Sequence, residues 1–195
     1  RAGAVFVPVN VASTVPELEF FLADVTPAVV CAGADAHHVR SGAVAGLPPV
    51  IDLVTEPGPA GASAEAVDVD PDDPAVILYT SGTTGKPKAA MHRHADLRTV
   101  CETYGQQVLG IRSDDLCLSV AKLFFAYGIG NSMFFPLSVG AAAVLEPSRP
   151  TPALLAELVA RHGVTMFFGT PSSYGPLLAA AESGQVDPAA FATVR

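Results

Sequence analysis

A chain of 195 residues, half of them hydrophobic, can bury a sizeable core as one ordinary domain or as part of a larger one, which excludes intrinsic disorder. Eleven Lys and Arg against nineteen Asp and Glu give a formal charge of −8. That balance argues against a nucleic-acid surface, which needs clustered cations to displace counterions from phosphates.

Along the chain, short β-branched runs alternate with helical patterns. Residues 4–9 (AVFVPV) read as a strand, 16–25 as a helix, and 28–33 (AVVCAG) and 49–54 (PVIDLV) as further strands. Such alternation predicts an α/β fold of βαβ units on a parallel sheet. Residues 56–66 are rich in Gly, Pro and Ala and read as a surface loop. The acidic cluster Asp68, Asp70, Asp72 and Asp73 lacks the glycine and glutamate that a calcium loop requires, and it reads as a solvated approach to the next strand. That strand, 75–79, leads through a hydroxyl-rich loop to a helix expected over about 90–108, followed by a strand at 116–120.

Residues 123–145 carry no formal charge and are long enough to cross a bilayer. Gly128, Gly130, Asn131, Pro136 and Gly140 interrupt them, so the run reads as a loop, a short buried helix and a strand, with no membrane span. Next comes a helix capped by Thr151, with Pro152 at its first position and Leu154, Leu155, Leu158 and Val159 as one apolar stripe. His162 sits in its last turn, and Gly163 can supply the left-handed terminating residue. A strand at 164–168, a loop at 169–173 and a helix near 174–182 complete the pattern. Cys31, Cys101 and Cys117 are far apart and form no CxxC, which suits buried thiols in a reducing cytoplasm better than disulfides or zinc. The chain starts within an apolar pattern, without an initiator Met or a signal segment, and reads as an internal piece of a longer protein.

The chemistry is concentrated in TSGTTGKPK, residues 80–88. Gly82 and Gly85 let the backbone bend and leave amide N–H groups unshielded. Thr80, Ser81, Thr83 and Thr84 add hydroxyl donors, and Lys86 and Lys88 add cationic ones. Together they fit an oligophosphate anion, since each hydrogen bond to a charged partner contributes roughly 1.5–3 kcal/mol. The loop is not a P-loop: only two residues separate the glycines, and Pro87 occupies the position of the magnesium-binding hydroxyl. His92 and His94 are two residues apart, which would place them on different sides of a helix, a poor arrangement for a shared metal. They read as residues at the start of that helix. Lys122 can either contact a ligand or end a strand.

YTSGTTGKPK resembles the signature loop of the adenylate-forming superfamily: acyl- and aryl-coenzyme A ligases, luciferases and the adenylation domains of peptide synthetases. Ala89-Ala90 departs from the Gly-Val common after the final lysine. Residues 121–179 are similar to benzoate-coenzyme A ligases and their hydroxybenzoate relatives, as is GAVFVPVN near the start. The resemblance implies the large N-terminal AMP-binding domain of such an enzyme, incomplete, with residues 1–67 as its leading βαβ portion and 68–195 carrying the phosphate loop and acyl pocket. It further implies a two-step ligase using ATP, magnesium and coenzyme A or another carrier thiol. In that chemistry a carboxylate attacks the α-phosphate, pyrophosphate departs, and a thiol captures the acyl-adenylate.

The catalytic lysine of the family is expected on a C-terminal domain beyond residue 195, so no catalytic residue is assigned within the chain. The chain alone is expected to bind nucleotide weakly and not to turn over. In amino-acid-activating relatives an Asp follows the Phe of the second motif and neutralises the substrate ammonium, because a buried unpaired charge is costly. Here Phe125 is followed by Ala126, which disfavours an α-amino acid and points to a small aromatic carboxylate. The resemblance carries Phe125, Ala126, Tyr127 and Gly128 over as substrate contacts. The plainer alternative makes Phe124, Phe125 and Tyr127 core aromatics. A non-catalytic nucleotide- or acyl-binding remnant, an interaction module, and a ligase for another small acid also stay open at this point.

Overall fold

A computed structural model describes residues 3–55, 65–80 and 87–195 of the chain. The expected loop at 56–66 lies mostly outside these residues. Contacts divide the chain into two units, Val9–Val67 and Gly3–Pro8 with Asp68–Arg195.

In the first unit, α1 (Val15–Val25) begins where the sequence provides a start signal: Thr14 donates its N–H to Glu17 Oε2 at 2.7 Å, and Pro16 lies in the first turn. β1 (Val30–Ala32) pairs in parallel with β2 (Val50–Asp52), and the short α2 (His37–Arg40) lies between them in sequence. This is the expected βαβ pattern, with shorter strands. Cys31 is exposed, against the expectation of a buried thiol, because its side chain alternates outward from the buried Ala32. Cys101 and Cys117 are buried as expected, and all three thiols are free.

In the second unit, β3 (Pro74–Thr80) runs antiparallel to β4 (Lys88–Arg93). The expected strand at 4–9 reduces to a single parallel bridge: Phe6 N–H donates to the Ala75 carbonyl, and Ile77 N–H donates to the Phe6 carbonyl, each at 2.9 Å. The helix expected from residue 90 begins four residues later, as α3 (His94–Val100), and continues as a π-helical run, Cys101–Val108. Residues 90–93 are instead recruited into the hairpin, where Ala90 lies opposite Leu78 and Met91 opposite Ile77. Pairing along β3 supplies the backbone groups of these residues with partners. Helix α3 starts at a cap where Asp96 Oδ2 accepts the Arg93 N–H at 2.9 Å.

The centre of this unit is a three-stranded parallel sheet in the order β6 (Ala142–Val144), β5 (Leu116–Ser119), β7 (Met166–Phe168). Consecutive residues of β5 serve opposite faces. Cys117 packs with Cys101, Ile111, Phe135, Met166 and Phe168, whereas Leu118 packs with Leu155, Leu158, Val159 and Val164. Burial on both faces explains why Leu116, Cys117 and Leu118 are apolar in succession rather than alternating. The first face is covered by one helical run, α4 (Ala126–Ile129), a π-helical stretch (Gly130–Phe134) and α5 (Phe135–Ser138). Among the described residues no helix is long and apolar enough to cross a membrane.

The second face is covered by α6 (Pro152–His162), which ends at Gly163 in the left-handed region, φ 67°. The Thr151 side chain accepts the Leu154 N–H at 3.3 Å. Replacing this cap in Thr151→Ala is expected to cost about 1 kcal/mol, a fall of roughly 2–4 °C in Tm measured by calorimetry. Helix α7 (Pro171–Glu182) starts three residues before its expected position, because Ser173 Oγ accepts the Thr170 N–H at 2.8 Å and caps the turn from within.

Candidate active site

The two ends of the signature segment, Thr80 and Lys88, belong to the antiparallel β3–β4 hairpin. Thr80 and Lys88 face each other in register at its base, and Thr80 Oγ1 donates to the Lys88 carbonyl at 3.4 Å. Ser81, Gly82, Thr83, Thr84, Gly85 and Lys86 lie outside the described residues. His92 belongs to β4 opposite Val76, while His94 is the first residue of α3 and donates its N–H to the Asp73 carbonyl at 3.1 Å. The two histidines therefore do not share a helix, which corrects the expectation. The acidic approach is a turn: Asp70 Oδ1 accepts the Asp72 N–H at 2.9 Å, and Asp72 pairs with Arg93 at 2.8 Å.

The second segment leaves the carboxyl end of β5 and is suspended between the loops that follow the two neighbouring strands. Lys122 Nζ donates to the Glu146 carbonyl and, at 2.6 Å, to the Ser148 carbonyl, both beyond β6. Five residues on, Tyr127 donates its hydroxyl to the Gly169 carbonyl beyond β7 at 3.1 Å. Burial lowers the Lys122 pKa, opposed by the charge of Glu146. The ammonium staples the segment to the chain beyond β6, three residues after β5 has ended. Burial, then the neighbouring Tyr174 and Tyr104, raise the Tyr127 phenol.

Between these two anchors, Phe124 and Phe125 stack at 4.3 Å between ring centroids. Phe125 is 53% exposed and Tyr127 43%, and Ala126 is exposed as well, so these residues do not fill the core. Gly128 behaves differently. It is buried, and a Cβ placed there would lie 2.0 Å from the Lys122 carbonyl oxygen and 2.6 Å from that of Ala121. What this glycine admits is the chain's own backbone, folding over the start of α4.

The site is thus an uncharged aromatic shelf at the carboxyl edge of a parallel sheet, the edge where open α/β sheets bind ligands. Among the described residues no group of three or more His, Cys, Asp or Glu is placed to hold a metal ion. Sequence reasoning passed over Gly169 and Tyr174, which appeared only as loop and helix. A glycine directly after a strand of that sheet was the available signal.

The family model for AMP-binding enzymes matches residues 1–195. The chain belongs to the AMP-binding enzyme family. Among curated members it is 37% identical over 190 residues to the benzoate–CoA ligase of Thauera aromatica, covering 92% of this chain and 36% of that protein. It is likewise 37% identical over 192 residues to the 4-hydroxybenzoate–CoA/benzoate–CoA ligase of Rhodopseudomonas palustris, covering 92% of this chain and 35% of the relative. A benzoate CoA ligase structure from Burkholderia xenovorans LB400 superposes with a TM-score of 0.76 at 34% identity, over 87% of this chain and 35% of the other. The anthranilate CoA ligase AuaEII, solved with anthranoyl-AMP, gives a TM-score of 0.84 at 27% identity, over 99% and 39%. This AMP-binding-family chain thus spans about a third of the length of the curated relatives it matches over most of its own length.

Proposed function

We propose that the chain is part of an ATP-dependent acid–thiol ligase that converts a small aromatic carboxylate of the benzoate kind to its acyl-adenylate and then to its coenzyme A thioester. The observation that carries this reading is the shelf Phe125–Ala126–Tyr127, which is aromatic, accessible and without a carboxylate to pair with a substrate ammonium. An α-amino acid on this shelf would find no anion for its ammonium, whereas a benzoate ring meets aromatic faces. The similarity to benzoate- and hydroxybenzoate-CoA ligases supports the same substrate class.

In the first step a carboxylate oxygen of the acid bonds to the α-phosphorus of ATP and pyrophosphate leaves. In the second a thiolate sulfur bonds to the acyl carbon and AMP leaves. Thr80 and Lys88 at the hairpin base, with Ser81 to Lys86 between them in sequence, hold the triphosphate; Phe125, Ala126 and Tyr127 take the ring, and Gly128 lets the segment turn beneath them. Magnesium accompanies the triphosphate and neutralises part of its charge, and no described residue is assigned to it. Dependence on ATP and coenzyme A, together with three free thiols, suits the cytoplasm.

ATP–pyrophosphate exchange with the full-length protein tests the reading over a panel of carboxylates. Benzoate or a hydroxybenzoate is expected to support exchange and α-amino acids are not. Ser81→Ala is expected to raise KM for ATP about tenfold or more, the loss of one hydrogen bond to a charged partner. The 195-residue chain alone is expected to give no exchange. Exchange with amino acids, or with no acid at all, would sink the proposal; ATP binding without any exchange would mark a non-catalytic nucleotide-binding module.

A further inference from the structure

We propose that Tyr174 is a positioning residue for the aromatic acid, fixing the Tyr127 ring through the Gly169 backbone. The inference rests on the reading of Tyr127 as a contact for the acid. Tyr127 is 43% exposed and Tyr174 41%, so packing alone does not hold either ring. Both hydroxyls converge on one residue. Tyr127 donates to the Gly169 carbonyl at 3.1 Å, and the Gly169 N–H donates to the Tyr174 hydroxyl at 3.2 Å.

Tyr174 is itself well anchored. Its ring stands edge-on to Phe167, 6.0 Å between centroids, and Phe167 stands edge-on to Phe191 at 5.6 Å. Its N–H donates to the Thr170 carbonyl at 3.0 Å in the first turn of α7. Gly169 makes the arrangement sterically feasible, since a Cβ there would lie 2.6 Å from Tyr174 Cζ, 2.9 Å from Cε2 and 3.0 Å from Ser173 Oγ. The order therefore runs from the Tyr174–Phe167–Phe191 cluster through the backbone of Gly169 to the shelf. With its hydroxyl proton committed to Gly169, Tyr127 presents an oriented ring, which spares the acid the cost of ordering it on binding.

The experiment compares full-length wild type with Tyr174→Phe, Tyr127→Phe and the double variant. Tyr174→Phe keeps the ring and removes the hydroxyl. It is expected to raise KM for benzoate roughly three- to tenfold, with KM for ATP and Tm essentially unchanged, and the double variant is expected to be no worse than the weaker single one. An unchanged KM for benzoate, or an equal rise for both substrates, overturns the inference. If the wild type activates no aromatic acid, the functional reading falls by itself. The clamp is then decided by NMR of ring-labelled tyrosine: a displaced Tyr127 resonance in Tyr174→Phe upholds it and an unmoved one refutes it.

Discussion

Gly128→Ala is expected to be the most damaging single-methyl change among the described residues. The added carbon would meet the Lys122 carbonyl oxygen at 2.0 Å, its carbonyl carbon at 2.6 Å and the Ala121 carbonyl oxygen at 2.6 Å. All three are backbone atoms, so no side chain can swing aside. Backbone displacement of this kind in a filled interior costs about 3 kcal/mol or more, which corresponds to a fall of roughly 6–12 °C in Tm for a chain of this size. The displaced atoms are those that carry Lys122, so its staple to the Glu146 and Ser148 carbonyls should loosen and the aromatic shelf with it. Thermal unfolding of Gly128→Ala beside Gly175→Ala, where a Cβ meets nothing within 4 Å, checks the cause. Similar losses in both would refute the steric argument.

Asp115→Asn is expected to have the second-largest effect, and one that depends on pH. Asp115 is buried, and its carboxylate accepts from Arg195 Nε at 3.0 Å, from Thr165 Oγ1 at 2.7 Å and from the Arg112 N–H at 2.8 Å. The Arg195 hydrogen bond, opposed by burial and helped by Thr165 and Arg112, holds its pKa at about 2 against an ordinary 3.8. A folded-state pKa below the unfolded one means that the unfolded chain binds the proton more tightly. The stabilisation is therefore complete above about pH 5 and is lost as pH falls through 4 towards 2. The shift corresponds to about 2 kcal/mol at neutral pH. The amide also leaves Arg195 without its anion, so a total loss of roughly 2–4 kcal/mol is expected, tempered because Arg195 is partly exposed. Unfolding measured from pH 7 to pH 2.5 should show the gap between wild type and variant narrowing with acidity. A gap that stays constant over that range would exclude the ionic origin.

The parts of this molecule that were legible in the sequence are those governed by local rules. Thr151, Pro152 and Gly163 mark the two ends of α6 because capping and left-handed termination depend on a few adjacent residues. Leu116, Cys117 and Leu118 mark β5 as a strand, although their order does not say which face each serves. The hairpin was not legible, because whether residues 88–93 coil or pair depends on β3 lying alongside, a contact that periodicity in a single segment does not report. Phe125 and Tyr127 were ambiguous for a related reason: aromatic composition is the same for a core and for an open shelf. Lys122 is held by carbonyls 24 and 26 residues away, and Tyr174 meets Tyr127, from another helix, only through the backbone of Gly169.

The pairing of Thr80 with Lys88, continued through Tyr79–Ala89 to Ile77–Met91, fixes which side of the hairpin each residue of β4 faces. A slip of β4 by a single position would send the half-buried Ala90 and His92 to the opposite face and bring their exposed neighbours in, whereas a slip of two would keep every facing. A change in this hairpin is therefore tolerated when the alternation along β4 survives it, a constraint imposed by the strands themselves.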